Sequence, residues 1–232
     1  MTAGDGPSTD IATAGDFPLH LLRLVSPGLP VGAFSYSRGL EAATHAGWVT
    51  DENAAGAWIL GMLEHGVAPF DGALFWRMMQ ALEAGDGHAF AEADGLLAAG
   101  RESREMELED RRMGEALLTL LDDLGVRSAQ PHRPASYPGA FALAARHWDV
   151  PPMAALKGLL WSIVEAQVAA AIRLVPLGQT SGQRILIAAV PVVERSAALA
   201  ASLPDSDIGN VCVAMAMGCA WHETQYSRLF RS

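Results

Sequence analysis

In a chain of 232 residues, half of them apolar, one domain or two small ones can bury a substantial core. Acidic side chains outnumber basic ones by 26 to 16, and Lys157 is the only lysine. This excludes a basic surface able to neutralise nucleic-acid phosphates or an anionic membrane. The two cysteines, Cys212 and Cys219, are too few and too close for a secreted disulfide framework. They suit a reducing compartment and a cytoplasmic protein.

Met1 to Asp16 lacks the basic start and apolar run of a signal peptide and reads as a disordered leader before a single domain over 17–232. Trp58, Ile59, Met62 and Leu63 form one helical stripe, and Leu74, Phe75, Met78, Met79 and Leu82 another. Asp51 and Asp71 stand before these stripes, where a carboxylate caps free backbone N–H groups. A third helix is expected over Ala89 to Leu124, with the charge run 101–112 as a solvated face and Gly125 as its end. Val126 to Pro138 carries three prolines and reads as a loop.

Further helices are expected over Gly139 to His147, Met153 to Arg173, Gly178 to Leu203 and Asp207 to Tyr226, with interruptions at Pro176 and Pro191. Ile185 to Val193 is β-branched enough for a strand but has no partner strand, so it reads as helix. The uncharged run Ile208 to Trp221 falls short of the roughly 20 residues a bilayer demands. The fold class is an all-α, single-domain helical bundle. Positive mean hydropathy points to a surface that an oligomer or assembly would cover, here a homodimer.

Chemistry is sparse. Leu177 to Arg184 is glycine-rich but lacks the Gly-Lys-Ser/Thr end that holds terminal phosphates and magnesium, so no nucleotide cofactor is expected. Its glycines allow close backbone approach, within one chain or between subunits. His222-Glu223 starts like a zinc-protease helix, but Tyr226 replaces the second histidine. Cys212, Met215, Cys219 and His222 share a helical face that could hold a soft metal, yet such a stripe more often fills a core. No nucleophile elbow is present, and the serines of Phe34 to Gly39 have His45 nearby but no orienting acid.

Three separated segments, Leu24 to Glu41, Pro176 to Gln183 and His222 to Ser232, together resemble the UreF family of urease accessory proteins. Gly47-Trp48-Val49 and Met113 to Leu118 extend the likeness from about Phe17 to the last residue. Arg38 departs from it, standing where glutamine is usual. The resemblance implies a non-enzymatic, all-α homodimer without a cofactor of its own. It would bridge UreH (also called UreD) and the GTPase UreG while nickel is delivered to apo-urease. It assigns Tyr36, Ser37, Gly39 and Glu41 to a GTPase-facing surface and Gly178, Gln179, Gly182 and Gln183 to the dimer or GTPase surface.

The terminal motif, with His222, Glu223, Tyr226, Arg228, Leu229, Phe230 and Arg231, is assigned to partner binding. Its last residues, Tyr226 to Ser232, are expected to order on contact with UreH. Two alternatives have this chain activate the GTPase with Arg38 as an inserted arginine, or carry nickel on the Cys212 to His222 face.

Overall fold

The structure, a computed structural model, describes residues 18–126, 132–209 and 212–232. The expected leader lies outside the described residues, as do 127–131 of the proline-rich loop. The helices are α1 (Leu19–Val25), α2 (Leu40–His45), α3 (Glu52–Met62), α4 (Ala73–Ala84), α5 (Gly87–Ala99), α6 (Arg104–Asp123), α7 (Tyr137–His147), α8 (Pro152–Leu174), α9 (Gln179–Ser202) and α10 (Val213–His222). No strand occurs among the described residues, so the fold is all-α, and Ile185 to Val193 lies within α9.

Helix α8 is the axis of the core. Leu156, Leu159, Leu160, Val164 and Ala171 are buried along it, and α1, α2, α3, α4, α7 and α9 all pack on it. Both α8 and α9 are long and apolar enough, by length and composition alone, to cross a bilayer. That corrects the expectation drawn from uncharged runs, because a helix with one or two charges also qualifies. Most of the apolar stretch of α8 is buried inside this fold, as for the core helix of a globular protein.

Asp51 caps α3 as expected, accepting from Ala54 N at 2.8 Å. Asp71 does not cap a helix. Residues Leu63–Gly72 continue α3 into α4 through π-helical turns that contain Pro69, and Asp71 is buried there. A widened turn accommodates a proline, which lacks an N–H and crowds the preceding carbonyl. The single helix expected over Ala89 to Leu124 is two. A side chain at Gly100 would meet the Phe70 ring at 2.2 Å, and Ser103 starts α6 by accepting from Met106 N at 3.2 Å. Pro191 lies inside a continuous α9, and the last helix is confined to α10.

The run 101–112 is only half a solvated face. Glu107 and Arg111 pair on the outside, but Arg101, Glu109 and Asp110 point inward, where Arg101 Nη1 donates to Asp71 at 2.8 Å. Asp94 of α5 is fully buried and pins the approach to α7. It accepts from Ala135 N (2.8 Å), Ser136 N (3.2 Å) and Ser136 Oγ (2.5 Å), and His132 Nε2 lies 2.9 Å away. Ser136 Oγ in turn accepts from Gly139 N and caps α7. Replacing Asp94 by alanine would strand these buried donors, each worth about 1–3 kcal/mol. The expected outcome is a loss of about 3 kcal/mol or more in urea unfolding.

Candidate partner-binding site

The first and the last of the three sequence segments singled out above meet on one side of the molecule, while the second opens α9, where Gly182 packs on α8. Arg38 (φ 48°) and Gly39 (φ 77°) form a left-handed turn ahead of α2. A side chain at Gly39 would meet Cys219 N at 2.8 Å, and one at Gly218 would meet Gly39 O at 2.8 Å. These paired glycines let α10 lie directly on the turn, which places His222 beside Glu41.

Glu41 is the hub. Its side chain is 9% exposed and accepts from Leu229 N (2.7 Å) and Phe230 N (2.8 Å), while His222 Nε2 lies 3.2 Å away. On its other side, His222 Nδ1 lies 2.6 Å from Glu105, which also pairs with Arg228. One turn along α6, Glu109 accepts from Arg38 Nε at 2.8 Å and from Ser232 Oγ at 2.6 Å. Ser37 N and Oγ donate to the Ser232 main-chain oxygen at 2.8 and 2.5 Å, and Arg231 N donates to Ser35 O at 2.8 Å.

The expectation that Tyr226 to Ser232 orders only on contact with UreH is therefore corrected. The carboxylates of Glu41, Glu105 and Glu109, the Ser35 main-chain oxygen and the N–H and hydroxyl of Ser37 hold the segment without any partner, and Phe230 and Ser232 are buried. Of the residues assigned to partner surfaces, Tyr36, Ser37, Arg38, Gly39, Glu41, Gly182, His222 and Phe230 are buried in this chain. Gly178, Gln179, Gln183, Glu223, Tyr226, Arg228, Leu229 and Arg231 are exposed. Gly182 serves packing within the chain, since a side chain there would meet Ile172 at 2.6 Å. Sequence reasoning missed Glu105 and Glu109 as anchors.

Electrostatics fit a structural clamp. Burial pulls the Arg38 guanidinium down, but the charges of Glu109 and Asp71 outweigh it and hold Arg38 above its usual value. Burial pushes the Cys219 thiol well above the usual thiol range, away from the thiolate a metal would need. Met215, Cys219 and His222 face the core, and both His222 nitrogens already face carboxylates. Burial pushes the Asp110 carboxyl up to about 6 against the pull of Arg101, with Asp71 adding to the rise.

Comparison with known proteins shows the family. The family model of UreF matches residues 49–190. The urease accessory protein UreF 2 of Brucella anthropi is 59% identical over 92% of this chain and 96% of its own. UreF of Hahella chejuensis is 42% identical over 92% and 97%, and UreF of Alkalilimnicola ehrlichii 42% over 92% and 95%. The class these matches define is that of urease accessory proteins. Within it, the chain belongs to the UreF family.

Asp110 gives this region a pH signature. Its folded value of about 6 exceeds the unfolded one, so the folded chain binds this proton more tightly. The contribution is full at low pH and is lost as pH rises from about 4 through 6. A carbon-13 carboxyl titration should place Asp110 near 6, and the melting temperature of wild type relative to that of Asp110→Asn should fall as pH rises from 4 to 7. A midpoint in the ordinary aspartate range would contradict this assignment.

Proposed function

We propose that this chain is a non-catalytic, cytoplasmic scaffold for urease maturation. As a homodimer it bridges UreH/UreD and the GTPase UreG, and through the complex it supports GTP-dependent nickel insertion into apo-urease. The observation that carries the reading is the convergence of the turn at 35–41 with the chain's last residues, in a chain of the UreF family. A rigid platform of this kind can favour one conformation of a switch protein over another. Only such differential affinity shifts a switch.

The clamp holds the backbone of the terminal segment through hydrogen bonds while Tyr226 stands fully exposed and Leu229 is 55% exposed. Such aromatic and aliphatic anchors on a preformed segment bind with less ordering cost than a free tail. These side chains are our candidates for UreH contact. Two rival readings lose support. Arg38 is buried against Glu109, which leaves no free guanidinium to insert into a nucleotide site. On the Cys212 to His222 face, Met215, Cys219 and His222 pack the core rather than opening to a cargo ion, and Cys212 is half-buried. The homodimer rests on exposed apolar side chains of α9, with Ile187, Val190 and Leu199 facing solvent.

Co-purification with UreH, UreG and urease tests the scaffold reading directly, and failure to retain any of them at low salt would sink it. In the same assay Tyr226→Ala with Leu229→Ala should weaken UreH binding at least tenfold, about 1.4 kcal/mol, at unchanged melting temperature. Normal UreH affinity in that variant would remove these residues from the interface.

A further inference from the structure

His222 faces a carboxylate at each of its ring nitrogens. Nδ1 lies 2.6 Å from Glu105 Oε2 and Nε2 lies 3.2 Å from Glu41 Oε2, and the imidazole is wholly buried. A neutral imidazole has one N–H and one lone pair, so in that form one carboxylate would face a lone pair with no water between them. Neither carboxylate is placed to supply the missing proton. Glu41 already accepts from Leu229 N and Phe230 N, and Glu105 pairs with Arg228. Only the imidazolium, a donor at both nitrogens, satisfies the whole arrangement.

We infer that His222 is a proton-dependent pin: as an imidazolium it joins α2, α6 and the terminal segment, and loss of one proton frees the segment from Glu41. The charges around it agree. Glu41 from α2 and Glu105 from α6 face it, with Arg228 from the terminal segment, so the set is neutral only when His222 is positive. One turn along α6, Arg38 and Glu109 cancel each other. One turn back on α10, burial keeps Cys219 as the neutral thiol. Glu102 and Glu223 stand exposed to solvent.

The geometry also says which contact gives way. The shorter approach is to Glu105, so a singly protonated ring keeps its N–H there and turns a lone pair on Glu41 Oε2. That oxygen is the acceptor for Phe230 N, and its partner Oε1 holds Leu229 N. A repelled Glu41 therefore lets go of the terminal backbone first. The closed clamp binds one proton more than the open one, so it is favoured at lower pH and lost as pH rises. This is a property of the isolated chain and does not depend on the scaffold reading. For that reading, it would make the fixed positions of Tyr226 and Leu229 conditional on pH.

Nitrogen-15 NMR of the isolated full chain tests the pin without any partner. At pH 6 both ring nitrogens of His222 should carry protons. On titration to pH 9, loss of one of them should coincide with movement of the Leu229 and Phe230 amide resonances toward unstructured positions. An unprotonated His222 nitrogen while both amides remain bonded overturns the inference. His222→Gln, neutral at every pH, should exchange these two amides at least tenfold faster than wild type at pH 6, without a pH transition. Glu105→Gln guards against a variant that merely unfolds. Its amide can donate to Nδ1, so a neutral imidazole suffices, and the two amides should stay bonded up to pH 9. Opening of Glu105→Gln at the same pH as wild type would equally overturn the pin.

Discussion

A carboxylate removed from water must be surrounded by donors, and Glu41 meets that demand with groups from the far end of the chain. The amides of Leu229 and Phe230 and the imidazole of His222 all converge on it. None of these donors is within 180 residues of Glu41 in sequence. Their convergence closes the fold, because α2, α10 and the last residues must all be in place before the charge is satisfied. A buried carboxylate stripped of one such partner is strongly destabilising, so the clamp acts as a unit.

The same clamp determines what the surface offers. Because the segment is fixed through its backbone and through Phe230, the side chains of Tyr226 and Leu229 face outward from a defined position. The Phe230 ring that fills the core side also supports Arg173. Packing and presentation are then two consequences of one arrangement. The twin contact of Gly39 and Gly218 is what allows it, since any side chain at either position would separate α10 from the turn.

Much of the fold is legible in the sequence. The stripes at Trp58 to Leu63 and Leu74 to Leu82, the Asp51 cap and the end of α6 before Gly125 follow from period and turn chemistry alone. Within a run of charges Glu109 and Asp110 look solvated, yet they fall on the helical face of Met106, Met113 and Leu117, all buried. That coincidence of carboxylates with an apolar stripe was the available signal for an internal network. Gly100, which divides α5 from α6, gave no such warning, because its need for space arises from Phe70, a distant residue. The terminal segment was misjudged for a related reason. Its anchors, Glu41 and Glu109, are invisible without the tertiary arrangement, and aromatic residues near a chain end look unplaced until a pocket is seen.

The central claim, that the chain's own carboxylates hold its terminal segment, is tested most directly by amide hydrogen exchange on the isolated protein. The N–H groups of Leu229 and Phe230 donate to buried oxygens of Glu41 and should exchange far more slowly than the exposed amides around them. Replacing Glu41 by glutamine should accelerate both. Exchange of these two amides at the rate of an unstructured peptide in the wild-type chain, with protection gained only when a partner is added, would contradict the account.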